Sequence, residues 1–396
     1  RLSRKRGPML SSDARRNQKK ALVPNDLFGQ HYVGEVKGIY HTTSGILNVL
    51  SPAMATGELF HTSIGAILPD EDARTRQAAD YEFTGCWQED GLHFYYGDES
   101  LSTHVYDLVQ NLFSRNSGLL ESDVMSGYGA AIFGCGSVGS LVALELARSG
   151  VGNFALVDND VLEYHNICRH QCGVSEVGEY KVDALRRRIL DINPLANVET
   201  CATLAEYLPK EAFDRWFGEN KFVAVGCADN READVYISSL CVDYGSPFLS
   251  IGFWERAFAG EIFYWLPNKN MPCYKCALGD GSLSQRGSVS RRLYTTQEDV
   301  ADVHFEPGIA VDIDFVTNIG VKILLDIINL DNDAYTARLL PTLQQYTLAC
   351  NTNNPDIGGE MAEIFSYPLQ VTTSLKVDFV DGCSCHVPEV IQHEHD

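Results

Sequence analysis

Between residues 129 and 330, short apolar runs alternate with stretches whose apolar positions recur every three to four residues. AAIFG (130–134) reads as a buried strand, and SVGSLVALELARSG (137–150) as a helix with Val138, Leu141, Val142 and Leu146 on one face. NFALVD, NVETCA, KFVAVGC and PFLSIGF continue as strands. KVDALRRRILDIN and READVYISSLCVDYG supply the helices between them. This alternation predicts an α/β fold with a doubly wound, mostly parallel, Rossmann-like sheet. EIFYWLP adds a strand, expected to be antiparallel. IAVDIDFVTNIGVKILLDIIN (309–329) predicts a long helix, buried or facing a second subunit. Asp312, Asp314, Asn318 and Lys322 interrupt it too often for a membrane span.

The pattern before residue 110 is different. YEFTGCWQEDGLHFYYGD (81–98) predicts a hairpin, and SLSTHVYDLVQNLFSR (100–115) an amphipathic helix. Residues 29–110 are therefore expected to form a smaller α+β domain, and residues 111–396 the main domain. His31, His41, His61, His93 and His104 lack metal-ligand spacing and are read as packing or surface histidines.

Charge refines this division. The 396 residues include 31 Lys plus Arg and 53 Asp plus Glu, a formal net charge of −22. Residues 1–20 reverse the sign, with eight basic side chains and one acidic, leaving the rest of the chain near −29. Residues 1–28 are expected to be a basic, flexible tail. An acidic body argues against sequence-independent nucleic-acid binding, which draws its affinity from cations on phosphates. No secretory leader is legible, so the twelve cysteines are expected to stay reduced in a cytoplasmic protein.

The chemistry concentrates at the ends of the predicted strands. Gly134-Cys-Gly136-Ser-Val-Gly139 lies between a strand and a helix, where glycines allow backbone to approach phosphate and the helix N-terminus offers free N–H groups. Asp158 closes the next strand and is placed to accept from ribose hydroxyls. Asn166, Arg169 and Lys181 follow, with more positive charge than hydride transfer needs and enough for a triphosphate. Asp229 ends a later strand as a hard oxygen donor suited to Mg²⁺. Cys273-x-x-Cys276 and Cys383-x-Cys385 together offer four thiolates for a structural Zn²⁺, with His386 able to replace one of the second pair.

Taken in order, GCGSVGS, VDND, NICRH, the GEYK lysine, CADN and CYKC resemble the ThiF/MoeB-like adenylating enzymes, which include the ubiquitin-activating enzymes. The resemblance covers roughly residues 111–390. NICRH and EPGIAVDI look like the forms seen in bacterial ubiquitin-activating-like proteins, some of which accompany conjugating modules; that subgroup raises an antiphage role. The resemblance implies ATP- and Mg²⁺-dependent adenylation of the C-terminal glycine of a ubiquitin-like or sulfur-carrier protein. It also implies a homodimer, with a conjugating enzyme as a further partner. It assigns Gly134, Gly136, Gly139, Asp158, Asp160, Asn166 and Asn230 to the nucleotide. Arg169, Lys181 and Asp229 go to the reaction, with Asp229 on Mg²⁺. Arg115, in FSRN, would be a finger supplied in trans, and residues 279–305 a crossover loop over the partner's tail. That loop has no cysteine, which leaves Cys172 and Cys350 as the thiols considered for a thioester step. Alternatives kept open are a family member that acts on a peptide or a tRNA base, and a non-catalytic nucleotide-binding scaffold.

Overall fold

The computed structural model describes residues 19–54, 63–218, 222–228, 230–278, 307–351, 371–383 and 385. The chain divides into two compact units, Arg1–Arg115 and Asn116–Asp396.

The first unit is a closed barrel of seven strands: β1 (Lys20–Pro24), β2 (Gly34–His41), β3 (Ile46–Val49), β4 (Ser63–Leu68), β5 (Phe83–Gln88), β6 (Gly91–Tyr96) and β7 (Glu99–Tyr106). Short helices α1 (Asp26–Gly29), α2 (Glu71–Gln77) and α3 (Leu108–Phe113) accompany it. Their strand neighbours alternate inward and outward, so that Ala21, Val23, Leu47, Val49, Phe83, Leu92, Phe94 and Leu101 fill the interior. The expected hairpin is β5–β6, paired from Phe83↔Tyr96 to Gln88↔Gly91.

Two expectations change here. Residues 20–24 of the expected tail belong to the barrel instead, because Ala21 and Val23 are fully buried and Lys20–Pro24 pairs in parallel with β7. The expected helix over 100–115 is a strand followed by a short helix. Glu99–Tyr106 pairs with β1 and β6, and Asp107 starts α3 by accepting from the Gln110 N–H at 2.8 Å. The β-branched residues of STHV favour the pleated surface, and the cap fixes where the helix can begin.

The second unit is an eight-stranded sheet in the order β10-β9-β8-β11-β12-β13-β14-β15. Its strands are β8 (Gly129–Phe133), β9 (Asn153–Val157), β10 (Asn197–Cys201), β11 (Phe222–Gly226), β12 (Phe248–Phe253), β13 (Ala259–Trp265), β14 (Tyr346–Cys350) and β15 (Val371–Leu375). The first five are parallel, and β13 to β15 add antiparallel strands. Helices are α4 (Ser122–Met125), α5 (Ser137–Arg148), α6 (Lys181–Ile192), α7 (Lys210–Phe213), α8 (Arg231–Tyr244), α9 (Tyr274–Leu278) and α10 (Ala310–Ile328).

Strand alternation sorts the core into two layers. Ile132, Leu156 and Val225 face the side covered by α5, α6 and α10, whereas Phe133, Val157 and Ala224 face α8 and the Phe213–Phe217 cluster. This is the expected doubly wound arrangement. The strand order reverses around β8, whose neighbours β9 and β11 lie on opposite sides, and ligand crevices in such sheets open at that reversal. Among the described residues no helix is long and apolar enough to cross a membrane.

Candidate functional site

The loop after β8 sits at the strand reversal. Gly134 has φ of +93°, and a Cβ there would lie 2.7 Å from the Ala228 nitrogen. A Cβ on Gly139 would lie 1.9 Å from the Gly134 oxygen. Both glycines are therefore dictated by close packing of strand, turn and helix. Gly136 differs, because a Cβ there would meet nothing within 4 Å. Gly136 is also the N-cap of α5, and no side chain caps the helix. A twelve-residue helix thus starts at a residue with open space beside it, which is the arrangement that receives phosphate.

Carboxylates and cations border this loop. One Asp158 oxygen accepts from the Cys135 N–H at 2.6 Å, and the other from the Asp160 N–H at 2.8 Å. Burial raises the Asp158 carboxyl above its usual range, against the opposing pull of Lys181. Lys181, the first residue of α6, is 8% exposed, and its ammonium donates to Asp160 at 2.8 Å. Its own N–H donates to the Asp160 carbonyl at 3.0 Å. Asp160 is thus the counter-ion of the lysine, a placement the sequence reading did not distinguish from nucleotide contact.

Asn166 and Arg169 share one turn, in which the Arg169 N–H donates to the Asn166 carbonyl at 3.0 Å. The Asn166 side chain accepts from the Glu163 N–H at 2.9 Å. A Cβ on Gly308 would stand 3.7 Å from an Arg169 guanidinium nitrogen and 3.5 Å from Ala257, so the EPGIAVDI segment meets NICRH. Ala257 and Arg256 hold left-handed φ values of 52° and 53° in the β12–β13 turn. The Asn351 side chain braces that turn by donating to the Ala257 carbonyl at 2.8 Å.

Asn230 caps α8, its oxygen accepting from the Glu232 N–H at 2.9 Å. Arg115 is exposed and ends the first unit. Asp229, His386 and the expected crossover loop 279–305 lie outside the described residues.

Several site residues were given no role by the motifs that contain or adjoin them. His170 is 7% exposed and burial lowers its pKa to about 4, so the ring is neutral. Its Nδ1 accepts from the Cys172 N–H at 3.0 Å, which leaves the proton on Nε2 to donate to the Cys135 carbonyl at 2.8 Å. Arg231 pairs with buried Glu261, which also accepts from Trp254 and Tyr346. Arg231, Glu261 and Tyr346 come from α8, β13 and β14, and no local spacing in the sequence could have grouped them.

Cys172 is 4% exposed, and burial pushes its thiol up to about 11. Cys350 is 1% exposed within β14. Neither presents a thiolate to solvent, so the two thiols considered for a thioester step are poorly placed for it.

Elsewhere, Cys273, Cys276, Cys383 and Cys385 converge, with all four sulfurs within 4.8 Å of one another. The Cys273–Cys276, Cys273–Cys383, Cys276–Cys385 and Cys383–Cys385 separations are 3.8, 3.6, 3.5 and 3.3 Å. Four thiolates about 2.3 Å from a tetrahedral Zn²⁺ stand about 3.8 Å apart. The donor set therefore fits a closed zinc site, with Cys383 and Cys385 both within reach despite their one-residue spacing.

Comparison with known proteins gives a match to the ThiF family over residues 115–353. Ubiquitin-like modifier-activating enzyme 5 of Arabidopsis thaliana is 26% identical over 279 residues, which are 64% of this chain and 63% of that protein. The enzyme of the same name from Branchiostoma floridae is 28% identical over 230 residues, covering 51% and 55%. The chain therefore spans less than two thirds of the length of either relative. Among solved structures, Escherichia coli MccB with AMPCPP and MccA is 18% identical with a TM-score of 0.49, covering 70% of this chain and 74% of that one. PaaA gives 18% and 0.48, with 64% and 74% covered.

Proposed function

Because the chain belongs to the ThiF family, we propose that it adenylates the C-terminal carboxylate of a small ubiquitin-like or sulfur-carrier protein at the expense of ATP. The observation that carries this reading is the uncapped N-terminus of α5 beside a turn that only glycines can make, with buried Lys181 close enough to act on Asp158. A neutral or weakly charged ligand would leave that ammonium without a purpose beyond its pair with Asp160. A triphosphate uses it. Two curated relatives, both named ubiquitin-like modifier-activating enzyme 5, support the acceptor class.

In this reading the acceptor carboxylate oxygen attacks the α-phosphorus. The bond from the α-phosphorus to the pyrophosphate oxygen breaks, giving an acyl-adenylate and free pyrophosphate. The acceptor is already ionised at neutral pH, so the residues act by holding and neutralising charge. Gly136 and the first turn of α5 receive phosphate, Lys181 and Arg169 offset its charge, and Asp158 takes the ribose while bracing the turn. Asp229, which follows Ala228 at the carboxyl end of β11, would hold Mg²⁺, whose chemistry is further neutralisation of phosphate. Arg115 would reach the site of a second copy. The four cysteines would hold Zn²⁺ for stability, since a four-thiolate site has no open position.

Pyrophosphate–ATP exchange tests this directly. A small protein ending in Gly should stimulate exchange, and Arg169→Ala or Lys181→Ala should lower it by about a hundredfold or more. Exchange that survives both substitutions refutes the assignment.

A further inference from the structure

We propose that His170 is a positioning residue that aims the Gly136 N–H at the nucleotide phosphates. The inference deepens the nucleotide reading above and rests on it.

The geometry begins with one peptide plane. The Cys135 carbonyl and the Gly136 N–H belong to the same planar trans peptide and point in opposite directions. The Cys135 carbonyl is tied down by His170 Nε2 at 2.8 Å. The Gly136 N–H must then face away from His170. Gly136 is the residue whose Cα adjoins open space, while its glycine neighbours in the motif are packed against backbone. The next peptide back is held too, since the Cys135 N–H donates to Asp158 at 2.6 Å. Two side chains from separate motifs therefore fix the two peptides flanking Cys135. What remains on the open side is a donor array continuous with the first turn of α5.

His170 also joins this turn to the loop of Asn166 and Arg169. Its N–H donates to the Asn166 carbonyl at 2.9 Å, and the neighbouring Gln171 N–H donates to the Ser140 hydroxyl on α5 at 3.3 Å. The arginine loop and the glycine turn are therefore stitched at two consecutive residues. A histidine serves here because its two nitrogens reach opposite ways, one accepting from the Cys172 N–H and one donating to Cys135. The charged groups acting on the ring are Lys181 and Glu176, with opposite effects.

Substitutions can separate the two bonds. His170→Asn keeps an acceptor near the Nδ1 position and loses the longer-reaching donor. His170→Gln keeps a donor near the Nε2 position. His170→Leu removes both without adding a polar atom. The full chain is titrated with ATP and, separately, with adenosine, which shares the base and ribose but has no phosphate.

For the wild type, ATP should bind more tightly than adenosine; if it binds no ATP, the nucleotide reading itself fails. With wild-type binding established, His170→Asn should weaken ATP by about tenfold or more while adenosine changes by less than about threefold, since one hydrogen bond to a charged group is lost. His170→Gln should keep the wild-type ratio. His170→Leu provides the same reading should the Asn variant not fold. An ATP-to-adenosine ratio unchanged in whichever of these two variants folds overturns the proposal. So does a Gln variant as impaired as the Asn variant, because that pattern marks a purely structural side chain.

Discussion

At Gly134 a single added methyl group meets backbone on contact, 2.7 Å from the Ala228 nitrogen, and the φ of +93° disfavours any side chain. Gly134→Ala should therefore cost about 1–3 kcal/mol of stability in denaturant unfolding. It should also weaken ATP binding, because the strand ends of β8 and β11 must part. Gly136→Ala is the contrasting case. It should leave stability close to wild type and impair ATP binding, since its methyl group would project into open space. Asp234 supplies a prediction of another kind. It is 3% exposed, one oxygen accepts from the Ser250 hydroxyl at 2.5 Å, and the other has no partner among the described residues. Burial pushes its carboxyl up to about 7. The unfolded value is near 4, so the stability this group contributes is present below about pH 4 and lost as pH rises through about 7. Asp234→Asn should gain on wild type between pH 5 and pH 8, by a few kcal/mol, read from urea unfolding at each pH. A difference independent of pH would count against the burial argument. At this scale the sequence showed which residues carry charge or lack a side chain. It could not show that Asp160 is spent on Lys181, because that depends on where the ammonium comes to rest.

Among the elements, the parallel strands and their helices were legible because each carries a period of its own. β8 reads as a continuous apolar run because both of its faces are buried. α8 announces its limits with Asn230 at one end and Gly245, at φ of +64°, at the other. Asn230→Ala should accordingly cost about 1 kcal/mol in thermal or denaturant unfolding. The stretch 100–115 misled because its apolar residues fit a helical face and a strand face alike, and pairing with β1 and β6 decided the matter. The cysteine pairs sit beside α9 and after β15, 110 residues apart between Cys273 and Cys383. Metal analysis should find one zinc per chain, and Cys273→Ser or chelation should lower the melting temperature by several degrees. A chain without zinc whose melting temperature ignores chelators would leave the cluster as four reduced thiols.

For the whole molecule, the acidic body and the few cations of the site have separate tasks. A net charge of −22 would suit partners with a basic face, whereas the proposed chemistry is assigned to Arg169 and Lys181. Arg115 tests whether two copies share a site. Arg115→Ala and Asp229→Ala proteins, each inactive alone, should recover part of their exchange activity when mixed and allowed to reassort, because one heterodimer site is intact. No recovery would mean that Arg115 does not act in trans. The sequence by itself determined the alternation of parallel strands and helices from residue 129 onward, the glycine turn and the cysteine donors, since those follow from periodicity and residue chemistry along short stretches. Only the tertiary structure decided that the strands between residues 20 and 106 close into a barrel, that residues 20–24 belong to it, and that His170 grips Cys135. The reason is physical. Barrel closure pairs β1 with β7 across some eighty residues, and a buried histidine finds its partner 35 residues back. Neither contact leaves a period in the chain, because it is made by backbone groups that every sequence carries.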